Sequence, residues 1–366
     1  MSGELSDRAA RERIASELAS NLGVEAGAGT GKTTVLVDRV TNLLASGAAT
    51  VDDLVVITFT EKAAAELSTR VRDALEERAA SSDGAELERV LIAARDLYRC
   101  HVETIHSFAA ALLRERPVEA RLDPLFEVVD GLAGSLAFDA AYEAFQDELL
   151  SSPTPELDRA LRRGLGLDEI REASELIHEY RYLRPLNLPP HDDGELDGHL
   201  AEFRGIADGL RALMSECAPG EDRGVEIAEG IVDWVDQLEA LETEAEQEFM
   251  LLYRDRADTN LGAGLKANWD ERKADLKALQ QEYRDAHDTA RDGLRTDALL
   301  SLLPRIEGFV DDYERRRRGD GEADFDDLLF WAAELLRTNG PARDYFRRRY
   351  RVALIDEFQD TDPVQA

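Results

Sequence analysis

Near the N-terminus, the residues Val24-Glu-Ala-Gly-Ala-Gly-Thr-Gly-Lys-Thr-Thr34 have the types and spacing of a phosphate cradle. Gly27, Gly29 and Gly31 free the backbone to wrap closely, so that its N–H groups can point at phosphate oxygens. Lys32 is placed to reach the β- and γ-phosphates, and the Thr33 hydroxyl to ligate Mg²⁺. The nucleotide-contacting set read from this segment is Ala26, Gly27, Ala28, Gly29, Thr30, Gly31, Lys32, Thr33 and Thr34. Ala26 stands where the general pattern has its first glycine. The second chemical signal is Ala353-Leu-Ile-Asp-Glu-Phe-Gln-Asp360, an apolar run that ends in adjacent carboxylates. Asp356 would hold the Mg²⁺ together with Thr33, usually through water, and Glu357 would orient and deprotonate an attacking water. A lone Asp-Glu pair in so acidic a chain reads as a solvated strand end. The Phe-Gln-Asp that follows it, and the cradle elsewhere, favour chemistry. A nucleoside triphosphate with Mg²⁺ is therefore the expected ligand, with Glu357, Asp356 and Lys32 as catalytic residues.

Elements at matching spacing must carry these residues. Leu22–Glu25 reads as a strand before the cradle, Lys32–Ala45 as a helix after it, and Leu54–Thr58 as a second strand. A helix from Lys62 to about Ala79, a strand at His101–Thr104 and a helix from His106 to Arg116 follow. Strand and helix in alternation predict a parallel sheet covered by helices. From 131 to 318 the period is helical almost throughout, and Tyr350–Ile355 returns to a buried-strand composition. The reading is an α/β domain over 1–130, a large all-helical insertion over 131–318, and a return to the α/β domain over 319–366.

Five ordered segments resemble successive motifs of UvrD/Rep-type superfamily 1 DNA helicases: AGAGTGKTT at 26–34, TFTEKAAAEL at 58–67, TIHSF at 104–108, DFDDLL at 324–329 and DEFQDTDPVQ at 356–365. Alanine at position 26 is usual in that family. The phrase VEAGAGTGKTT, with ARLDPLFEVVD at 120–130, looks most like the RecB/AddA helicase–nuclease branch. The resemblance implies a RecA-like P-loop NTPase domain and an ATP-dependent DNA helicase that translocates 3′–5′ along single-stranded DNA in repair or recombination. It implies that Thr58, Phe59, Thr60 and Lys62, with His106 and Ser107, face single-stranded DNA. From the residues alone, Phe59 could be core and His106 a helix cap. The family also commonly reads adenine with a glutamine about twenty residues before the lysine. Here no glutamine precedes Gln146; Arg11 stands near that place, and Asp7 and Arg11 could serve a variant site. A second motor domain or subunit, supplying an arginine to the transition state, is an expected partner, as is a nuclease subunit. Nothing follows Ala366, so the chain by itself is expected to bind Mg-ATP and single strands weakly and to hydrolyse negligibly. A binding module and a split or truncated gene product are the competing readings.

Composition bounds these expectations. The 44 basic and 77 acidic residues leave a net charge of −33, which reads as adaptation to a salty, halophilic cytoplasm or as an acidic surface for basic partners. Five of the basic residues are lysines, and Lys266, Lys273 and Lys277 fall in one helical-looking stretch. No run of 18 apolar residues is present, so no membrane partner is expected, and the N-terminus lacks the pattern of a signal peptide. Cys100 and Cys217 are far apart and in no metal-ligand spacing, which fits a reducing cytoplasm. Arg315–Arg318 offers either a phosphate-contacting edge or a solvated helix end countering its dipole. Trp234, Trp269 and Trp331 read as core.

Overall fold

Leu54-Val-Val-Ile-Thr58 is apolar on both faces, the composition of a strand with helices above and below. In a computed structural model of the chain, which describes residues 7–27, 29–190, 195–216, 222–361 and 365, this segment is the central strand of a three-stranded parallel sheet. Ala28 and Cys217 lie outside the described residues. The chain divides into two compact units, Met1–Ser135 with Arg315–Ala366, and Leu136–Glu314.

In the first unit, α1 (Arg8–Ser16) and α2 (Lys32–Ser46) precede β1 (Leu54–Thr58). There follow α3 (Glu61–Ser81), α4 (Gly84–Asp96), β2 (His101–Thr104), α5 (Ile105–Glu115), α6 (Pro117–Ala120) and β3 (Glu127–Val128). β1 is fully buried, and Val56 is flanked in register by Val102 of β2 and by Leu354. Leu54 and Val56 face a cluster made by Val40, Leu43 and Leu44 of α2 with Leu67, Val71 and Leu75 of α3. The four-residue steps along α3 put those side chains on one stripe. Successive strand residues alternate faces, so Val55 and Ile57 point the other way.

The Leu136–Glu314 unit is helical. Its elements are α7 (Gly131–Ser151), α8 (Pro155–Arg162), α9 (Leu167–Glu179), α10 (Glu195–Ser215), α11 (Arg223–Glu239), α12 (Glu244–Tyr253), α13 (Lys266–Trp269) and α14 (Lys273–Asp320), the first and last running past its bounds. Lys266 and the pair Lys273 and Lys277 fall in different helices, because Asp270 at φ 43° breaks the path between them. Trp234 and Trp269 are buried in one apolar cluster, and Phe138, Tyr142 and Phe309 centre another. Arg163 is buried with its charge met at 2.8 Å by Glu248 and at 2.7 Å by Asp297.

The chain then forms β4 (Glu322–Ala323), α15 (Phe325–Thr338), α16 (Gly340–Arg349) and β5 (Val352–Ile355) in the first unit. β4 lies parallel to β3, with Val128 beside Ala323. α5 and α15 share a second cluster containing Leu113, Leu328 and the buried Trp331. β5 pairs in parallel with β1, giving the order β2-β1-β5. One expectation fails here. Leu22–Glu25 is not a strand: it pairs with no ladder among the described residues, and Val24 is exposed. A strand is defined by its partner's hydrogen bonds, and apolar composition cannot supply the partner.

Candidate active site

The cradle is shaped by two left-handed glycines. Gly29 has φ 74°, and Gly31, with φ 87°, is the residue from which α2 starts. No side chain caps α2 and no acid lies in its first turn, although acids make up about a fifth of the chain. The first N–H groups of the helix, on Lys32, Thr33 and Thr34, are therefore left to an external acceptor, with the helix dipole behind them. Thr30 braces the loop by donating its hydroxyl to the Gly27 carbonyl at 2.7 Å.

Arg11 braces it from outside. Its guanidinium donates to the Thr30 carbonyl and is held at 2.7 Å by Asp7, which raises the arginine further above its ordinary range and lowers the aspartate. A β-carbon on Gly31 would sit 3.2 Å from this guanidinium. α1 is fixed there by Arg39 of α2, which donates to the carbonyls of Ile14, Glu17 and Ser20 at 2.6, 3.0 and 3.1 Å. Arg11 thus serves the loop backbone, a role the sequence does not announce.

The carboxylates arrive by way of β5. The Asp356 N–H continues the ladder onto the Ile57 carbonyl at 2.9 Å, so Asp356 emerges at the same end of the sheet as Thr58. Glu357 then turns left-handed, with φ 53° and ψ 41°. Its Oε2 lies 3.1 Å from the Lys32 ammonium, uniting residues 325 apart in sequence. Hydrogen bonding from Gln359, and then from Lys32, holds the Glu357 carboxyl below the usual range. Asp356 accepts the Glu357 N–H at 3.1 Å. Among the described residues no group of three or more His, Cys, Asp or Glu could hold a metal by itself. A Mg²⁺ held by Thr33 and Asp356 would thus draw its other ligands from phosphate and water, which suits that ion.

The strands also position the second set. Thr60 caps α3 by accepting the Ala63 N–H, and Thr104 caps α5 by accepting the Ser107 N–H. Phe59 and His106 are thereby carried on the strand-to-helix turns at one end of the sheet. Phe59 is 62% exposed, so it is not core. The α5 cap is Thr104, so His106 is not the cap; its ring lies edge-on to Phe325 at 5.6 Å. Lys62 is exposed and makes no ion pair among the described residues. Ser107 and Thr104 both donate to Glu61 at 2.8 Å. Thr58 departs from expectation. It is 3% exposed with its hydroxyl on the Thr60 carbonyl, because the ladder to Thr104 holds it inside the sheet, which withdraws it from direct contact with a strand.

Two weaker signals resolve toward structure. Arg317 is buried between Asp324 at 2.8 Å and Asp327 at 2.6 Å, while Arg318 pairs with Glu334 over the Trp331 ring. These two arginines are ion-paired inside the unit and do not form an open phosphate-contacting edge. Burial pushes the Cys100 thiol up to about 12, which favours its neutral form.

The chain is similar in sequence to proteins named as helicase/nuclease subunits. An ATP-dependent helicase/nuclease subunit of Syntrophomonas wolfei is 29% identical over 94% of this chain and 31% of its own length. The protein of the same name in Bacillus pumilus is 25% identical over 97% of this chain and 32% of its own. "Exonuclease/helicase subunit RexA" of Streptococcus pneumoniae is 24% identical over 95% and 32%. The chain spans about a third of the length of the curated relatives it matches. No helix among the described residues is long and apolar enough to cross a membrane. The profile of the UvrD/REP helicase N-terminal domain matches residues 7–366, and the chain belongs to that family.

Proposed function

We propose that this chain is the ATP-binding part of an ATP-dependent DNA helicase motor. The observation that carries the reading is the meeting of Lys32 and Glu357 at 3.1 Å, beside an uncapped helix N-terminus without an acid. In this reading Ala26, Gly27, Ala28, Gly29, Thr30 and Gly31 wrap the phosphates with the first turn of α2, and Lys32 counters their charge. Thr33 and Asp356 hold Mg²⁺, which when bound neutralises charge on the transferred phosphoryl group. Glu357 takes the proton of the attacking water. Phe59, Thr60, Lys62, His106 and Ser107 face single-stranded DNA, and hydrolysis drives 3′–5′ movement during repair or recombination. The helical segment over 131–318 is an insertion in a RecA-like motor domain. A second motor domain supplies the remaining cation, a nuclease subunit completes the machine, and the acidic surface suits a salty cytoplasm.

Lys32→Ala tests the site directly. Equilibrium dialysis with a non-hydrolysable ATP analogue should show affinity reduced by at least about tenfold, since no other cation in the loop counters the triphosphate. Unchanged affinity overturns the assignment.

A further inference from the structure

A groove of about 550 Å³ opens beside Phe59, within the range that small ligands occupy. Three kinds of chemistry line it. The first is aromatic: Phe59 and Phe325 are each more than half exposed, and His106 stands edge-on to Phe325. The second is cationic. Arg114 lies 4.7 Å over the Phe126 ring and makes no ion pair among the described residues. The third is a fixed acceptor. Glu61 Oε1 receives the hydroxyls of Thr104 and Ser107 at 2.8 Å each, while its Oε2 receives no hydrogen bond among the described residues. Glu103 also lines the groove, its carboxylate engaged by His101.

Exposed rings, a cation without an ion pair and an anchored carboxylate with one open oxygen are the parts of a nucleotide site. A base stacks on the rings, its phosphate meets the guanidinium, and its edge meets the carboxylate. Glu61 and Glu103 both line the groove, and a carboxylate repels a phosphate, so the Glu61 end suits the base and not its phosphate. In the strand-binding reading the groove takes one base of the bound strand; we propose that Glu61 makes it favour a base with an exocyclic amino group over thymine. Cytosine N4 and adenine N6 carry donors that a carboxylate accepts, whereas thymine turns its O4 acceptor to the same place. This rests on the strand-binding reading above and adds two residues to it. Phe325 belongs to a motif with no role yet assigned in this chain, and Glu61 sets base preference.

The test is fluorescence polarisation of the full chain with labelled 12-nucleotide oligo-dC, oligo-dA and oligo-dT at one fixed salt concentration. Oligo-dC and oligo-dA should bind roughly three- to tenfold more tightly than oligo-dT, the effect of one good edge contact. Glu61→Gln should bring the three within about twofold, because an amide can donate to O4 as well as accept. Phe325→Ala should weaken all three by roughly fivefold or more, the loss of one stacking ring. Phe325→Leu, which keeps apolar bulk without the ring, should also weaken them, and a thermal melt checks that each variant is folded. Oligo-dT bound as tightly as oligo-dC by the parent chain, or discrimination kept by Glu61→Gln, overturns the proposal. If Phe59→Ala loses binding while Phe325→Ala does not, the groove proposal falls and strand binding stands. If no oligonucleotide binds, the strand-binding reading falls and takes the groove with it.

Discussion

Glu357 holds φ 53°, a region that costs a residue with a β-carbon on the order of 1–3 kcal/mol. That geometry accompanies the contact of its carboxylate with the Lys32 ammonium. A nucleotide must compete for that ammonium. Glu357→Gln keeps the shape, removes the base and weakens the grip on Lys32. We expect analogue binding no weaker than in the parent, and hydrolysis, measured with a second motor domain supplied, reduced by about 10²–10⁴. Turnover equal to the parent in that assay would assign the water to another residue.

Helices and strands extend the argument to acid stability. His287 in α14 is 2% exposed, packed against Trp234 and Tyr283, and neither ring nitrogen has a hydrogen bond among the described residues. Desolvation first, then Arg256 and Arg291, lowers it from 6.5 to about 4, against a smaller opposing pull from Asp288. Below pH 6.5 the unfolded chain takes up a proton that the native imidazole refuses. Stability is therefore full above pH 6.5 and falls as pH drops toward 4, by on the order of 3 kcal/mol. His287→Leu should flatten that part of the pH–stability curve in urea titrations; an unchanged slope would place the proton uptake elsewhere. The helical region showed its period in the sequence but not this buried histidine, because burial of one position depends on helices distant in the chain. The sheet was more legible. LVVIT and VALI are short apolar runs beside chemistry-bearing residues, and both are strands. Leu22–Glu25 looked the same and is not, since pairing is not a local property. Phe59 was visible as a candidate through its motif, whereas Glu61, two residues on, gave no sign of the hydroxyls that anchor it. Thr58 shows the converse: its motif marks the strand end, and register decides that it is buried.

Across the whole molecule, 77 acidic side chains repel one another through a solvent that screens them over about 30 Å at 0.01 M salt and about 3 Å at 1 M. The melting temperature should rise by several degrees or more from 0.05 M to 2 M KCl. A transition indifferent to salt would remove the reading of a salty cytoplasm. The sheet order has a further consequence, in time. β1 receives β2 from the next fifty residues, but its other edge waits for β5, about 290 residues later. A ribosome adding roughly 5–20 residues per second leaves Leu54–Thr58 with one open side for roughly 15–60 s. An apolar edge that old is an invitation to pair with a neighbouring nascent chain. The acids that emerge around it, from Asp52 and Asp53 onward, give such neighbours like charge, which opposes that pairing until Val352–Ile355 arrives.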